Sequence, residues 1–139
     1  MEIIVVEDES VSTEVFRRAL KAFPNAQMQA FANGASMLEH LGRAFDLADK
    51  KGTPRLVFLD LTLPDISGLE ILKRIRKNPL TRTTPVIVFS GSEDHALMRG
   101  CYDAGANSYL LKPVSYEDFK KLIEVALRFW LEMNQIPRT

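Results

Sequence analysis

Four short runs of apolar residues, none of them alternating with polar residues, constrain the fold of this chain more than any other feature. Such runs are typical of strands in a parallel sheet that is covered by helices on both faces. The runs occupy residues 3–6, 56–59, 86–89 and 109–111. Polar residues suited to phosphate or metal follow them directly, namely Glu7 and Asp8, Asp60, Ser90, and Lys112. Because parallel strands end at the same edge of a sheet, where open α/β sheets bind ligands, these side chains are predicted to converge.

The segments between the runs carry helical patterns, which predicts βαβ units and one α/β domain over the 139 residues. A further strand is expected over residues 28–31. Ser12 is expected to cap a first helix that reaches Phe23, and Ser67 to cap the third helix. Residues 46–55 are polar and are predicted to form a loop or a frayed helix end.

The fourth helix is predicted to end at Gly105, a residue suited to a C-terminal cap. Ser92 is expected to cap the start of this helix, which would leave the Ser90 hydroxyl free for chemistry. The alternative is that Ser90 is itself the cap.

The last helix is predicted to begin at Ser115 and to extend towards Asn134. Its spacing places six residues on the inward face: Phe119, Leu122, Ile123, Ala126, Trp130 and Met133. Leu127 and Leu131 are expected to point away from it. The apolar residues near its end exceed what a compact domain needs, and they predict a homodimer interface made of Leu127, Phe129, Trp130, Leu131 and Met133. The alternative is that Trp130 folds back onto its own core.

Composition excludes several classes of function. Eighteen basic and eighteen acidic residues cancel, which argues against nucleic-acid binding, since that requires a basic surface. No apolar run approaches the roughly 20 residues that span a membrane, and the N-terminus lacks the layout of a signal peptide. Cys101 is the lone cysteine, so no internal disulfide is possible, and we expect a cytoplasmic protein with Cys101 buried on a helix.

Glu7 and Asp8 form an acidic pair that the end of the first strand should direct towards Asp60. Three carboxylates at one place repel one another unless a cation joins them, and Mg²⁺ prefers oxygen ligands. The sequence therefore predicts a Mg²⁺ site, although a solvated acidic loop and an Asp60 that only caps its own loop stay open as alternatives. Lys112 on its own would equally be a surface lysine, and Tyr109 a half-buried strand residue.

The chain resembles response-regulator receiver domains from Met1 to the end of its last helix. Four motifs carry the resemblance: IIVVEDE, LVFLDLTLPDISGLEIL, PVIVFSGS and AGANSYLLKP. The resemblance implies a doubly wound, flavodoxin-like α/β fold. In this fold a five-stranded parallel sheet of strand order 2-1-3-4-5 has two helices on one face and three on the other.

The resemblance also implies roles for individual residues. Asp60 would be the phosphoacceptor, and Glu7, Asp8, Asp60 and the backbone carbonyl of Thr62 would bind Mg²⁺. Lys112 would neutralise the phosphate and Asp60, and its bond to Pro113 would be cis.

Ser90 and Tyr109 would form the switch: the Ser90 hydroxyl would bind the phosphoryl group and Tyr109 would swing inward. Pro64, Asp65 and Gly68 are expected to shape the loop after Asp60 rather than to take part in chemistry.

The resemblance predicts a stand-alone response regulator that accepts a phosphoryl group from a sensor histidine kinase. It would signal through changed contacts with a protein target that the sequence does not name. A weaker alternative is an interaction module that needs no phosphorylation. A phosphohydrolase is disfavoured, because Thr62 stands where such enzymes carry an acidic residue, and we do not expect an enzyme.

A narrower resemblance lies at the C-terminus. Phe129, Trp130, Leu131 and Glu132, followed by Ile136 and Pro137, look like the ending of the stand-alone regulators that are paired with phytochromes. A phytochrome is therefore the candidate kinase.

Overall fold

The computed structural model describes residues 1–46 and 55–136. The strands are β1 (Glu2–Val6), β2 (Gln27–Phe31), β3 (Leu56–Asp60), β4 (Val86–Ser90) and β5 (Ser108–Leu111). The α-helices are α1 (Ser10–Ala19), α2 (Gly34–Asp46), α3 (Gly68–Lys77), α4 (His95–Asp103) and α5 (Tyr116–Arg128). A 3₁₀ turn (Leu20–Ala22) follows α1, and a π-helical turn (Phe129–Met133) follows α5. Of the segment predicted as a loop, residues 47–54 lie outside the described part of the chain.

The five strands form one parallel sheet in the order β2-β1-β3-β4-β5, which confirms the predicted topology. Pairing aligns their carboxyl ends: Val6 lies opposite Leu59, Asp60 opposite Phe89, and Ser90 opposite Leu111. The polar residues that follow the strands are therefore brought to one edge of the sheet, called here the carboxyl edge.

Two buried clusters cover the two faces of the sheet. One joins α2, α3 and α4 to the sheet through residues such as Met37, Ile71 and Cys101. The other joins α1 and α5 to the opposite face and centres on Phe16, whose ring lies 5.0 Å from that of Phe58. The predicted division into three helices and two is thus confirmed. Burial of this apolar surface is the main stabilising contribution to the fold.

The single thiol lies inside the first cluster. Cys101 has no exposed surface, and burial raises its pKa above the ordinary value. The expectation that it serves as a small buried hydrophobic residue is confirmed.

Helix ends follow the sequence in part. Ser67 and Ser115 cap α3 and α5, as predicted, by accepting hydrogen bonds from backbone amides in the first turn. The prediction for Ser12 is wrong: α1 begins two residues earlier, and Ser12 is buried inside it. The prediction for Ser92 is also wrong, because the Asp94 carboxylate caps α4 instead.

The last helix differs from its predicted orientation. Leu127 is fully buried in the second cluster, where it was expected to point away, and Met133 is 64% exposed, where it was expected inward. Leu131 and Trp130 are half-buried against the same core. The reason is that α5 packs on both the sheet and α1, which widens the buried arc beyond a single stripe. The π-helical turn then changes the rotation per residue.

At the opposite, amino edge of the sheet, Arg76 joins three segments. Its guanidinium donates to the carbonyls of Thr81, Thr84 and Gly105 and to the side-chain oxygen of Asn107. Gly105 ends α4 as predicted, with a φ of 102°. These bonds hold the end of α3 against the starts of β4 and β5.

Within the described residues, no helix has both the length and the apolar character needed to cross a membrane.

Candidate functional site

Three carboxylates meet at the carboxyl edge. Ligand oxygens of Glu7, Asp8 and Asp60 all lie within 4.8 Å of one another. Glu7 and Asp60 are buried, with 2% and 4% exposure, whereas Asp8 is exposed. The predicted convergence of the three carboxylates is thus confirmed, and the cluster is buried on the side of Glu7 and Asp60 and exposed at Asp8.

Lys112 reaches the cluster from β5. Its ammonium lies 3.0 Å from a Glu7 oxygen, 3.7 Å from Glu9 and 3.9 Å from Asp60. It also sits over the Phe89 and Phe119 rings, 5.6 and 5.5 Å from their centroids. Lys112 was expected to neutralise Asp60, but its hydrogen-bond partner here is Glu7. The two rings line one side of the ammonium, and the carboxylates lie on the other.

Burial dominates the acid–base behaviour of the buried pair. Desolvation raises the pKa of Glu7 to about 7, against the opposing effect of a hydrogen bond from the Glu9 amide. Desolvation also raises the pKa of Asp60, opposed by the hydrogen bond from Thr62. For Lys112, burial alone would lower the pKa, but its bond to Glu7 and the surrounding negative charges raise it.

The charges of the cluster fit a divalent cation. When ionised, the three carboxylates carry more negative charge than the Lys112 ammonium can offset, and a divalent cation would reduce that excess. All donors are oxygens, the ligand type that Mg²⁺ and Mn²⁺ accept from carboxylates. The residues present therefore suit the predicted metal.

The loop after Asp60 holds the central carboxylate in place. The Thr62 amide donates to one Asp60 oxygen at 2.9 Å. Gly68 lets the loop return close to its origin: a Cβ there would lie 2.5 Å from the Asp60 carbonyl oxygen. The Gly68 amide then bonds to the Leu61 carbonyl at 3.1 Å. The expected structural role of Gly68 is thus clear, while the Thr62 carbonyl stays a predicted metal ligand.

Ser90 ends β4 beside this site. Its hydroxyl is buried and accepts the amide of Ser92 at 3.1 Å, but it does not cap α4. Its carbonyl accepts the Lys112 amide at 2.8 Å, which couples the ends of β4 and β5. The hydroxyl proton stays available for donation to an incoming oxygen.

Tyr109 is half-buried and links β5 to the loop after β4. Its phenol donates to the Ser92 carbonyl at 2.8 Å, and its amide donates to the Tyr102 phenol at 3.1 Å. Sequence reasoning missed Tyr102, because nothing in a helical tyrosine indicates contact with a residue seven positions later. It also gave Glu9 no role, although that residue ends the same acidic run as Glu7.

The bond between Lys112 and Pro113 is trans, since the described part of the chain contains no cis peptide. The family resemblance implied a cis bond there. Trans is the form that X–Pro bonds generally prefer.

Comparison with known proteins identifies the family. The model of the response regulator receiver domain matches residues 3–124. The chain belongs to this family. The receiver-domain fold, the acidic cluster and the residues at the strand ends agree with that assignment.

Curated relatives of this receiver domain include archaeal and cyanobacterial proteins. It is 32% identical over 136 residues to a protein of Methanothrix harundinacea named "Probable methanogenesis regulatory protein FilR2", covering 97% of this chain and 86% of that protein. It is 27% identical over 136 residues to the response regulator Rcp1 of Synechocystis, covering 97% and 92%.

Solved structures agree. The Mn²⁺-bound form of Rcp1 has a TM-score of 0.84 at 27% identity, with 99% of both chains covered. The phosphorylated cyanobacterial phytochrome response regulator RcpA has a TM-score of 0.90 at 25% identity, with 99% of this chain and 98% of that chain covered. The chain is therefore similar to phytochrome-associated response regulators over nearly its whole length.

Proposed function

We propose that this receiver domain accepts a phosphoryl group on Asp60 from the phosphohistidine of a sensor histidine kinase. The observation that carries the proposal is the buried Asp60 carboxylate, 3.9 Å from the Lys112 ammonium and in contact range of Glu7 and Asp8. A carboxylate is a weak nucleophile, and the phosphoryl group that it attacks is also anionic. The reaction therefore needs positive charges nearby that offset the repulsion between the two groups. Lys112 supplies one such charge, and a metal ion would supply the other.

In the proposed transfer, an Asp60 oxygen forms a bond to phosphorus while the bond from phosphorus to the histidine nitrogen breaks. The Thr62 amide holds the other Asp60 oxygen, so the attacking oxygen is oriented outward. When bound to Glu7, Asp8, Asp60 and the Thr62 carbonyl, Mg²⁺ would offset charge on the transferring phosphoryl oxygens. Lys112 could shift from Glu7 towards a phosphoryl group on Asp60, because its ammonium lies 3.0 Å from Glu7 and 3.9 Å from Asp60.

The phosphorylated state would act through Ser90 and Tyr109. The Ser90 hydroxyl would donate to a phosphoryl oxygen, which pulls the loop after β4 towards the site. Tyr109 is bonded to the Ser92 carbonyl in that loop, so its position depends on where the loop lies. A local change of charge would thus alter the surface formed by α4 and β5, where a downstream protein could bind.

We propose a phytochrome as the cognate kinase, a role supported by the likeness to RcpA, which is named a phytochrome response regulator. The protein would be a stand-alone regulator in the cytoplasm, one receiver domain over residues 1–139 whose last helix, predicted over residues 115–134, consists of α5 and the π-helical turn after it. Its own catalytic activity would be limited to slow self-phosphorylation and dephosphorylation.

The test is the intact mass of the full chain after incubation with acetyl phosphate and Mg²⁺. One added phosphoryl group is expected on the wild type and none on Asp60→Asn or in the presence of EDTA. Asp103→Asn is the matched control, since it removes an exposed carboxylate at the end of α4, and it should be phosphorylated normally. No addition to the wild type, with phosphoramidate failing as well, would favour an interaction module that needs no phosphorylation.

We further propose that the protein is a homodimer through the end of α5. Leu127 is buried, and Trp130 and Leu131 pack on the core, so the predicted interface must shift. Val125, Phe129 and Met133 form a stripe four residues apart that is 68%, 46% and 64% exposed. Such a row suits the same row on a second copy.

Phe129→Ser combined with Met133→Ser should weaken association at least tenfold in sedimentation equilibrium, because the contact area of the stripe is lost. Glu132→Ser changes an exposed neighbour and should leave association unchanged. Equal dissociation constants for the double variant and the wild type would rule this interface out.

A further inference from the structure

The loop that carries Thr62 is fastened at its far end to another helix. The two oxygens of the Asp65 carboxylate accept hydrogen bonds from the amides of Gly34 and Ala35, each at 2.9 Å. These amides open α2, some 30 residues away in sequence. Backbone amides at the start of a helix have no partner within it, and they carry the positive end of the helix dipole. The two bonds therefore give the first amides of α2 their acceptors, and they also hold the loop in place.

The start of α2 also packs closely against neighbouring side chains. A Cβ on Gly34 would lie 2.6 Å from the tip of the Ile71 side chain on α3 and 3.1 Å from Cβ of Ile66 in the loop, so α2 packs tightly against both segments at this glycine. The bonds from Gly34 and Ala35 lower the pKa of Asp65, which is thus held as a carboxylate. The loop is pinned at its base by the bond between Gly68 and Leu61 and at its tip by Asp65.

We infer that Asp65 is a positioning residue for the phosphorylation site. It acts through the loop: Asp65 fixes the loop to α2, the fixed loop places Thr62, and the Thr62 amide orients the Asp60 carboxylate at 2.9 Å. The inference deepens the proposed function and rests on it, because the oriented carboxylate is useful only if Asp60 binds metal and phosphate. Without the bonds between Asp65 and α2, the Asp60 carboxylate could rotate. Metal binding would then have to order this carboxylate again.

The same helix end offers a matched control. Asn33 caps α2 from its own side by accepting the amide of Ser36 at 2.9 Å, and no hydrogen bond of its side chain reaches the described loop. Asn33→Ala and Asp65→Ala both remove a cap from α2 and should both lower the melting temperature. Only Asp65→Ala releases the loop.

The experiment measures Mn²⁺ affinity of the full chain, from the electron paramagnetic resonance signal of free Mn²⁺, beside melting temperatures. Asp65→Ala should weaken Mn²⁺ binding about tenfold, the lower end of the range seen when a partner that orients a metal ligand is removed. Asn33→Ala should stay close to wild type. Asp65→Asn, which keeps one acceptor oxygen, should fall between and serves as the test if the alanine variant does not fold. Amide hydrogen exchange at Thr62 should accelerate in Asp65→Ala alone.

Equal Mn²⁺ affinities for Asp65→Ala, Asn33→Ala and wild type would overturn the inference and leave Asp65 as a helix cap only. A wild type that binds Mn²⁺ but takes no phosphoryl group from acetyl phosphate would overturn the proposed function. The affinity ratio would then still decide whether Asp65 positions Asp60. No Mn²⁺ binding by the wild type would overturn both.

Discussion

Arg76 and Lys112 are partly buried cations at opposite edges of the sheet, and their surroundings differ. At the amino edge, Arg76 is bonded to neutral oxygens of Thr81, Thr84, Gly105 and Asn107. At the carboxyl edge, Lys112 faces the carboxylates of Glu7, Glu9 and Asp60. The positive charge of Arg76 is therefore satisfied by the fixed dipoles of carbonyl and amide groups. Lys112 stands in an excess of negative charge that a further cation would relieve.

We interpret Arg76 as a residue that stabilises the fold and Lys112 as a residue of the candidate functional site. A planar guanidinium with several donors fixes the relative positions of α3, β4 and β5, and an ammonium on a flexible stem cannot do so. A single ammonium that several carboxylates share could instead change partners in the proposed phosphorylation of Asp60. Perturbed carboxyl pKa values accordingly occur at the edge with the unbalanced charge.

The largest expected effect is on folding. Arg76→Ala should lower the free energy of unfolding by about 3–5 kcal/mol, because it leaves several buried carbonyls without donors. Phosphorylation of the folded fraction should be unchanged. Lys112→Ala should cost only about 1 kcal/mol, since Glu7 can take up a proton, but phosphorylation should be almost abolished. Urea denaturation and acetyl phosphate labelling measure the two quantities.

Arg76→Lys tests whether the fold is stabilised by the planar shape of the guanidinium or only by its positive charge. It keeps the cation but loses the fork of donors, so it should lose most of the stability that alanine loses. If Lys112→Ala destabilises the protein as much as Arg76→Ala, the division between the two edges is wrong.

The second effect is on pH dependence at the carboxyl edge. The pKa of Glu7 is about 7 in the folded protein against an ordinary value of 4.5. The unfolded chain therefore releases this proton first, and stability without metal should fall as pH rises from about 5 to 8, by at most about 3 kcal/mol. Mg²⁺ binds the ionised form, so its stabilising effect should be greater at pH 8 than at pH 5.

Thermal denaturation with Mg²⁺ or EDTA across this range measures the effect. Glu7→Gln removes the titrating group and should flatten most of the slope. A metal-free protein whose melting temperature rises between pH 5 and 8 would contradict the raised pKa.

The smallest effect concerns two glycines, one at each edge. Gly105→Ala should cost about 1–2 kcal/mol, because φ is 102° and the new Cβ would lie 2.8 Å from Arg76, yet phosphorylation should persist. Gly68→Ala would press on the backbone of Asp60 and should slow phosphorylation severalfold. Initial rates of labelling at equal folded fractions compare them, and equal rates would show that the Asp60 backbone tolerates displacement.

The sheet could be predicted from the sequence, and so could the residues that meet at the candidate site. Unbroken apolar runs mark buried parallel strands, and the residue after each run must lie at the carboxyl edge. That argument places Glu7, Asp8 and Asp60 together from the sequence alone, and the family resemblance implies the remaining roles.

Contacts between distant segments could not be predicted. The pairing of Lys112 with Glu7 spans 105 residues, and the bonds from Asp65 to α2 span about 30. The direction of Leu127 also depended on α1 lying beside α5, which widened the buried arc. Periodicity describes one helix at a time and carries no information about its neighbours.

Burial of the only cysteine has a practical consequence for measuring this molecule. Cys101 is shielded inside the core and its raised pKa keeps it in the unreactive thiol form. A cysteine introduced at a fully exposed position such as Val114, beside Lys112 and Pro113, would therefore be the only thiol that reacts quickly with a maleimide probe. Without any further engineering, the chain would accept a single fluorophore or spin label two residues after Lys112, close in sequence to the candidate site.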